Sequence, residues 1–257
     1  MYTVKAADRS SYWGQDSTND GSQQSLTTYC ANSEIDIIPM AFLYEFYGTG
    51  DEPVINFANS GNDCSTFSGT ELLDCPSIGT DITTCQETYG KTILLSIGGA
   101  TYTEGGFSST DEAVTQANKI WAMFGPEQYG STALRPFGSA ILDGFDFDFE
   151  SSVSNTAAFA NQLRALMDAD TSKSYYLTAA PQCPYPDSAD QSMLDGAVYF
   201  DAIWVQFYNN YCGLTAFEST SDPGEFNFET WHTWATTVSA NPNVRVLVGA
   251  PSSISEE

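Results

Sequence analysis

Asp143-Gly144-Phe145-Asp146-Phe147-Asp148-Phe149-Glu150 decides how this chain folds and where its chemistry lies. Successive side chains of a strand point to opposite faces, so Gly144, Asp146, Asp148 and Glu150 share one face while Phe145, Phe147 and Phe149 share the other. Acids on one face repeat about 6.6 Å apart, and their repulsion costs free energy unless protons are shared or hydrogen bonds compensate. Folding stability alone does not select such a strand; a working site does. The phenylalanines are expected to pack outward under helices and the acids to line the carboxyl end of a barrel, with Glu150 nearest the mouth. Asp143, on the opposite parity, is expected to act through stability. Two other uses fit the acids: an edge strand facing solvent, or hard oxygen ligands for Mg²⁺ or Ca²⁺. The three interleaved phenylalanines argue against an edge. A coupled carboxylate cluster can hold its terminal Glu protonated near neutral pH, as a general acid requires.

Outward from this strand, short apolar runs recur at 35–43, 92–97, 175–180, 203–208 and 244–249, which with 141–150 give the rhythm of an α/β fold with parallel strands and crossover helices. Ser109-Thr110-Asp111-Glu112 is a capping box opening a helix that carries Val114, Ile120, Trp121 and Phe124, and Ser154 is expected to cap another with Phe159, Leu163 and Leu166. A first strand is expected near Tyr12-Trp13-Gly14-Gln15, although the preceding Asp8-Arg9-Ser10-Ser11 is too polar to read as buried. Residues 47–79 are rich in Gly, Asn, Ser, Thr and Asp and hold two cysteines, so they read as a long loop within one domain spanning 1–257.

With 257 residues, 42% of them apolar, the chain can build a sizeable core. Its 33 Asp and Glu against 8 Lys and Arg leave a formal charge of −25, which repels nucleic acid and anionic membranes. No apolar run approaches the roughly 20 residues of a membrane-spanning helix. Six cysteines without a Cys-x-x-Cys pair, beside the lone His232, point to disulfides rather than metal and hence to an oxidising compartment. The N-terminus has no apolar leader core and the chain no Asn-x-Ser/Thr acceptor, so the cysteines alone carry that inference.

Asp143-x-x-Asp146-x-Asp148-x-Glu150 and the upstream Ser96-Ile97-Gly98-Gly99 together resemble the signatures of the family 18 glycoside hydrolases. Tyr12-Trp13-Gly14-Gln15, Ala179-Ala180-Pro181-Gln182-Cys183-Pro184 and Trp204-Val205-Gln206-Phe207-Tyr208-Asn209-Asn210 look like those of plant and fungal class III, hevamine-type chitinases. The resemblance runs from about Tyr12 to Pro251. It implies a (β/α)8 TIM barrel in a secreted, extracellular protein, free or cell-wall associated, acting as a monomer on chitin or N-acetylglucosamine oligomers. No cofactor and no metal are implied. The family's eighth strand and its tryptophan have no counterpart here, so the chain is expected to lack most of the eighth βα unit and the natural polypeptide to continue beyond Glu257.

The implied reaction is endo-hydrolysis of β-1,4 linkages with retention, in which the substrate's own acetamido oxygen attacks C1. By matched position, Glu150 is the acid and later the base, Asp148 orients the acetamide and Asp146 tunes Asp148. Tyr208 would donate to the acetamido oxygen, and Gln206, on the same face if the strand runs to Tyr208, would hold a sugar group. Tyr12, Gln15, Ala180 and Gln182 are candidate sugar contacts, and Ser96, Gly98 and Gly99 read as close packing that supports the acids. The resemblance also implies the pairs Cys30–Cys85, Cys64–Cys75 and Cys183–Cys212. Two alternatives use the same barrel: an endo-β-N-acetylglucosaminidase acting on N-glycans, and a silent chitin-binding or inhibitor protein.

Overall fold

The computed structural model describes residues 9–16 and 19–251. Strands β1 (Ile37–Glu45), β5 (Thr92–Gly98), β6 (Gly144–Asp148), β7 (Tyr176–Ala179), β8 (Ala202–Gln206) and β9 (Arg245–Gly249) run parallel in that order, with β2 (Val54–Ile55) antiparallel on the upper end of β1. The segment 10–13 lies along the same side of β1, joined by bridges from Ser10 to Ile37 and from Trp13 to Met40. It is thus a short first barrel strand, tied to β1 by the Ser11 and Trp13 N–H groups on the Ile37 and Pro39 carbonyls and by the Ile37 and Ala41 N–H groups on the Arg9 and Trp13 carbonyls. Its polar lead-in explains why: Arg9 is exposed and Ser10 only partly covered, so little apolar burial repays ordering a longer strand. Among the described residues, no strand joins β9 to this first segment.

The inner strands form where the sequence is apolar on both faces, as a sheet covered on both sides requires. β5, Thr-Ile-Leu-Leu-Ser-Ile-Gly, is buried from Ile93 onward. Outside, α2 (Pro76–Glu87) starts with Pro at its first turn and buries Ile78, Ile82 and Cys85, three and four residues apart. α3 (Thr110–Phe124) is capped as expected, with Ser109 Oγ accepting the Glu112 N–H at 3.1 Å. α4 (Thr156–Ala169) is capped differently from the expectation. Asn155, not Ser154, is the N-cap, at φ 60°, and its amide donates to the Phe107 carbonyl. Ser154 is instead bonded through its backbone to Gly105 and Phe107.

The phenylalanines of the acid strand pack outward: Phe147 meets Phe159 of α4 at 5.9 Å and Phe200 at 6.2 Å between ring centroids. At the strand's lower end Asp143 accepts the Ile93 N–H at 2.7 Å and the Gln86 amide at 2.8 Å, and pairs with Lys173 at 2.5 Å. That ties β5, β6, α2 and the approach to β7 together, far from the mouth. The long loop contains β2 and the small hairpin β3 (Ser65–Thr66) with β4 (Leu73–Asp74). The cysteines pair as Cys30–Cys85, Cys64–Cys75 and Cys183–Cys212, the set the resemblance implies.

Candidate active site

The site rises along β6 and is held by main chain on both sides. Asp146 stands in register with Ser96 of β5 and Thr178 of β7, and Asp148 with Gly98. Two glycines permit this closeness. A Cβ on Gly98 (φ 118°) would meet the Asp148 carbonyl oxygen at 2.4 Å, and one on Gly144 (φ 145°) the Tyr176 oxygen at 1.8 Å. The Gly99 N–H also donates to the Asp148 carbonyl at 2.7 Å.

Asp146 is fully buried and receives three hydroxyls, each at 2.7 Å: Ser96 and Tyr12 on Oδ2, Thr178 on Oδ1. Burial pushes its pKa up, and those three donors oppose the rise. Asp148 receives one side-chain donor, Gln206 Nε2 to Oδ1 at 2.7 Å. Burial, then Asp146, then Glu150 push its pKa well above the ordinary carboxylate range. The rise is the greater at Asp148, where one side-chain donor opposes it, than at Asp146, where three do.

β6 ends at Asp148, shorter than the expected 141–150, so Glu150 lies just past the strand and meets solvent at the mouth. The surrounding walls still remove enough water to raise its pKa, the direction a general acid needs.

β8 likewise stops at Gln206 rather than Tyr208. Tyr208 follows in a bend, half-buried, near enough to Tyr12 for their phenols to interact electrostatically. Phe207 turns away and packs tilted against Phe226, with ring centroids 4.7 Å apart. Gln206 departs from its expected use. Its amide N–H groups go to Asp148 and to the Ala180 carbonyl at 2.8 Å, so its donor end holds an acid rather than a sugar. A period-two pattern could not show this, because the partner lies two strands away.

Tyr12 shows two environments: the residue is 36% exposed, yet its hydroxyl is sunk on Asp146, and burial raises its pKa well above the usual value. Gln15 is exposed, with its amide on the Ala41 carbonyl at 3.1 Å. Ala180 is buried and offers its carbonyl only to Gln206, while Gln182 is half-buried with its N–H on Asp187 at 2.9 Å.

Three participants escape the sequence reading. Thr178 was detectable as a lone hydroxyl at an inward position of an apolar strand. Asp187 accepts the N–H groups of Gln182, Ala189 and Asp190 and so fixes the turn after β7. Asp190 is fully buried, and among the described residues neither of its carboxyl oxygens has a hydrogen-bond partner. Burial, Asp187, Asp148 and Asp146 in that order push its pKa well up. Among the described residues, no group of three or more His, Cys, Asp or Glu side chains is arranged to hold a metal ion.

Comparisons with known proteins agree with this geometry. Residues 9–252 match the Glycosyl hydrolases family 18. A class III chitinase of Arthroderma benhamiae is 55% identical over 222 residues, covering 86% of this chain and 67% of that protein. Endochitinase 33 of Trichoderma harzianum is 51% identical over 244 residues, covering 94% and 74%. Among solved structures, ICChI chitinase from Ipomoea carnea superposes with a TM-score of 0.75 at 29% identity, covering 96% of this chain and 81% of that one. The xylanase and alpha-amylase inhibitor protein XAIP-II of Scadoxus multiflorus also scores 0.75, at 28% identity, covering 98% and 81%. With the acid strand, its supporting strands and these relatives in agreement, the chain belongs to the glycosyl hydrolases of family 18.

Proposed function

We propose that the chain is a single catalytic barrel that hydrolyses β-1,4 links between N-acetylglucosamine units inside chitin chains, with retention. One observation carries the reading: Asp146 and Asp148 are buried and coupled through charge, while of the three acids Glu150 alone stands open to solvent. A scaffold kept only for binding has no need of a buried, proton-sharing acid pair below an exposed Glu. The fungal relatives named as chitinases are also far more alike to this chain than the inhibitor is.

In this mechanism Glu150 protonates the leaving oxygen while the acetamido oxygen of the substrate attacks C1, and Glu150 then takes a proton from the water that opens the ring intermediate. Asp148, with Oδ1 taken by Gln206, presents its other oxygen to the acetamide N–H. Asp146, anionic under its three hydroxyls, stabilises the positive charge that develops above it. Tyr208 donates to the acetamido oxygen. Gln206 acts here as a positioning residue for Asp148, and the exposed Tyr12 offers a face to a sugar. The three disulfides suit an extracellular, monomeric enzyme.

Incubation with a chitin oligomer, followed by NMR of the fresh product, tests the proposal. The expected result is a β-anomeric reducing end, abolished by Glu150→Gln with oligomer binding retained. An α-anomer, unimpaired turnover by Glu150→Gln, or release of glycans from glycoprotein without oligomer cleavage would overturn it.

A further inference from the structure

Asp187 is buried, 3% exposed, and no step of the reaction uses it. Enclosing a carboxyl group is costly unless donors replace the water it loses, and here the donors lie in two directions. Oδ1 accepts the N–H groups of Ala189 at 2.8 Å and Asp190 at 2.7 Å, within the local turn that leads into α5 (Gln191–Leu194). An Asn or Ser makes that kind of turn as well. Oδ2 instead reaches back to the Gln182 N–H at 2.9 Å, outside the turn. Serving both directions takes two acceptor oxygens, which an Asn or Ser does not have.

The backward bond anchors the segment 180–183, and that segment wraps Gln206. The Pro181 carbonyl accepts the Gln206 N–H at 2.8 Å, the Cys183 N–H donates to the Gln206 carbonyl at 3.2 Å, and Gln182 bridges Gln206 in parallel. Gln206 Nε2 donates to the Ala180 carbonyl at 2.8 Å and to Asp148 Oδ1 at 2.7 Å. These two acceptors fix the amide with its N–H groups toward the acid. If the segment drifts, the Ala180 carbonyl is lost to the amide, which can then turn its own oxygen toward Asp148, acceptor against acceptor.

We propose that Asp187 is a positioning residue for the hydrolysis: by anchoring Gln182 it holds 180–183 against Gln206, and so sets the oxygen that Asp148 presents to the acetamide. The inference deepens the chitinase reading above and rests on it. No bond to Asp187 is made or broken. Misplacing a reacting group by about 1 Å can cost about 10²-fold in rate. Loss of this one anchor costs less, because Ala180 is also held by the Phe147 carbonyl, the Cys183 carbonyl by Asn227 and Trp231 of the α6 end, and Cys183 by its disulfide.

The test is a double-mutant cycle between Asp187→Asn and Gln206→Leu, reading kcat and KM on a chitin oligomer. Each variant is assayed at its own pH optimum, so that a shifted titration is not read as lost rate. Asn at 187 can keep the Ala189 and Asp190 bonds, but its NH2 group then faces the Gln182 N–H, donor against donor, so the backward link alone is cut. Asp187→Asn is expected to lower kcat about tenfold and to change KM less than about twofold. With Gln206→Leu already present, it should lower kcat by less than about a further twofold, because the relay to Asp148 is gone. Asp143→Asn, at a buried acid that also accepts a main-chain N–H but at the far end of β6, should lower stability and leave kcat in place. If Asp187→Asn fails to fold, Asp187→Glu, with both oxygens on a longer stem, enters the same cycle and should show a smaller loss that likewise vanishes with Gln206→Leu. An undiminished kcat with Gln206 present, or an equal loss in both backgrounds, overturns the inference. Failure of the wild type to cleave the oligomer instead overturns the chitinase reading.

Discussion

Asp190→Asn is expected to stabilise this protein at neutral pH, although it removes a charged residue type from a buried site. The wild-type carboxyl is fully enclosed, lacks any hydrogen-bond partner among the described residues, and faces the acids Asp187, Asp148 and Asp146. Burial and these neighbouring acids raise its pKa above its unfolded value of about 3.9. Between those two pKa values the folded state holds one more proton than the unfolded state, so stability is greatest below about pH 4 and declines as pH rises, by about 1.4 kcal/mol per unit for this single group. Each pH unit within that interval corresponds to on the order of 0.5–1 M in a urea midpoint. Asn has nearly the same shape and no proton to take up. Urea unfolding of both proteins, disulfides intact, at pH 4, 5, 6 and 7 should give curves that converge near about pH 4 and separate above it, with the variant the more stable. Parallel pH dependences would show that Asp190 is ionised in the folded protein, and the argument would fail.

The wild type itself should melt at a higher temperature at about pH 5 than at about pH 7, because Asp148 and Asp187 are also raised by burial and take up protons on folding; a melting temperature that rises with pH contradicts this. Glu150→Gln should lower kcat at least ~10²-fold with an unchanged melting temperature, read by oligomer turnover and calorimetry. Gln206→Leu frees Asp148 Oδ1 from its donor and should cut kcat while moving the acid limb of the pH–rate profile, a readout that a packing defect would leave in place. Asp143→Asn should act through stability alone, costing about 1–3 kcal/mol from the weakened Lys173 pair and N–H contacts; a drop in kcat at unchanged stability would place it in the chemistry.

The parts legible in sequence are those written in local period. Alternation of Asp and Phe over 143–150 orients β6 by itself, and Ser109 with Glu112 starts α3 through contacts three residues apart. The points where β6 and β8 stop depend on the loops that leave them, so Glu150 and Tyr208 were assigned to strands they outrun. Roles set by register between strands were less visible still. Ser96 and Thr178 are ordinary polar residues until pairing across β5, β6 and β7 brings both to Asp146, and Gln206 reaches Asp148 from β8, past the whole width of β7. Asn155 as a left-handed cap was hidden for a related reason: its amide is committed to Phe107, a loop partner 48 residues away.

The glycine contact between β5 and β6 bears on how such an enzyme can change. Because Gly98 admits the Asp148 carbonyl and Gly99 binds it through the backbone, the height of Asp148 is set by main chain that leaves no side chain to mutate gradually. Variation on the far side of that contact falls to the exposed positions of the 100–108 connection, Ala100, Thr101, Thr103 and Ser108, because Tyr102 and Phe107 are core residues and the Phe107 carbonyl holds the cap of α4. Substitution at those exposed positions, with the loop length kept, is thus a route to new sugar preferences on an unaltered reaction centre.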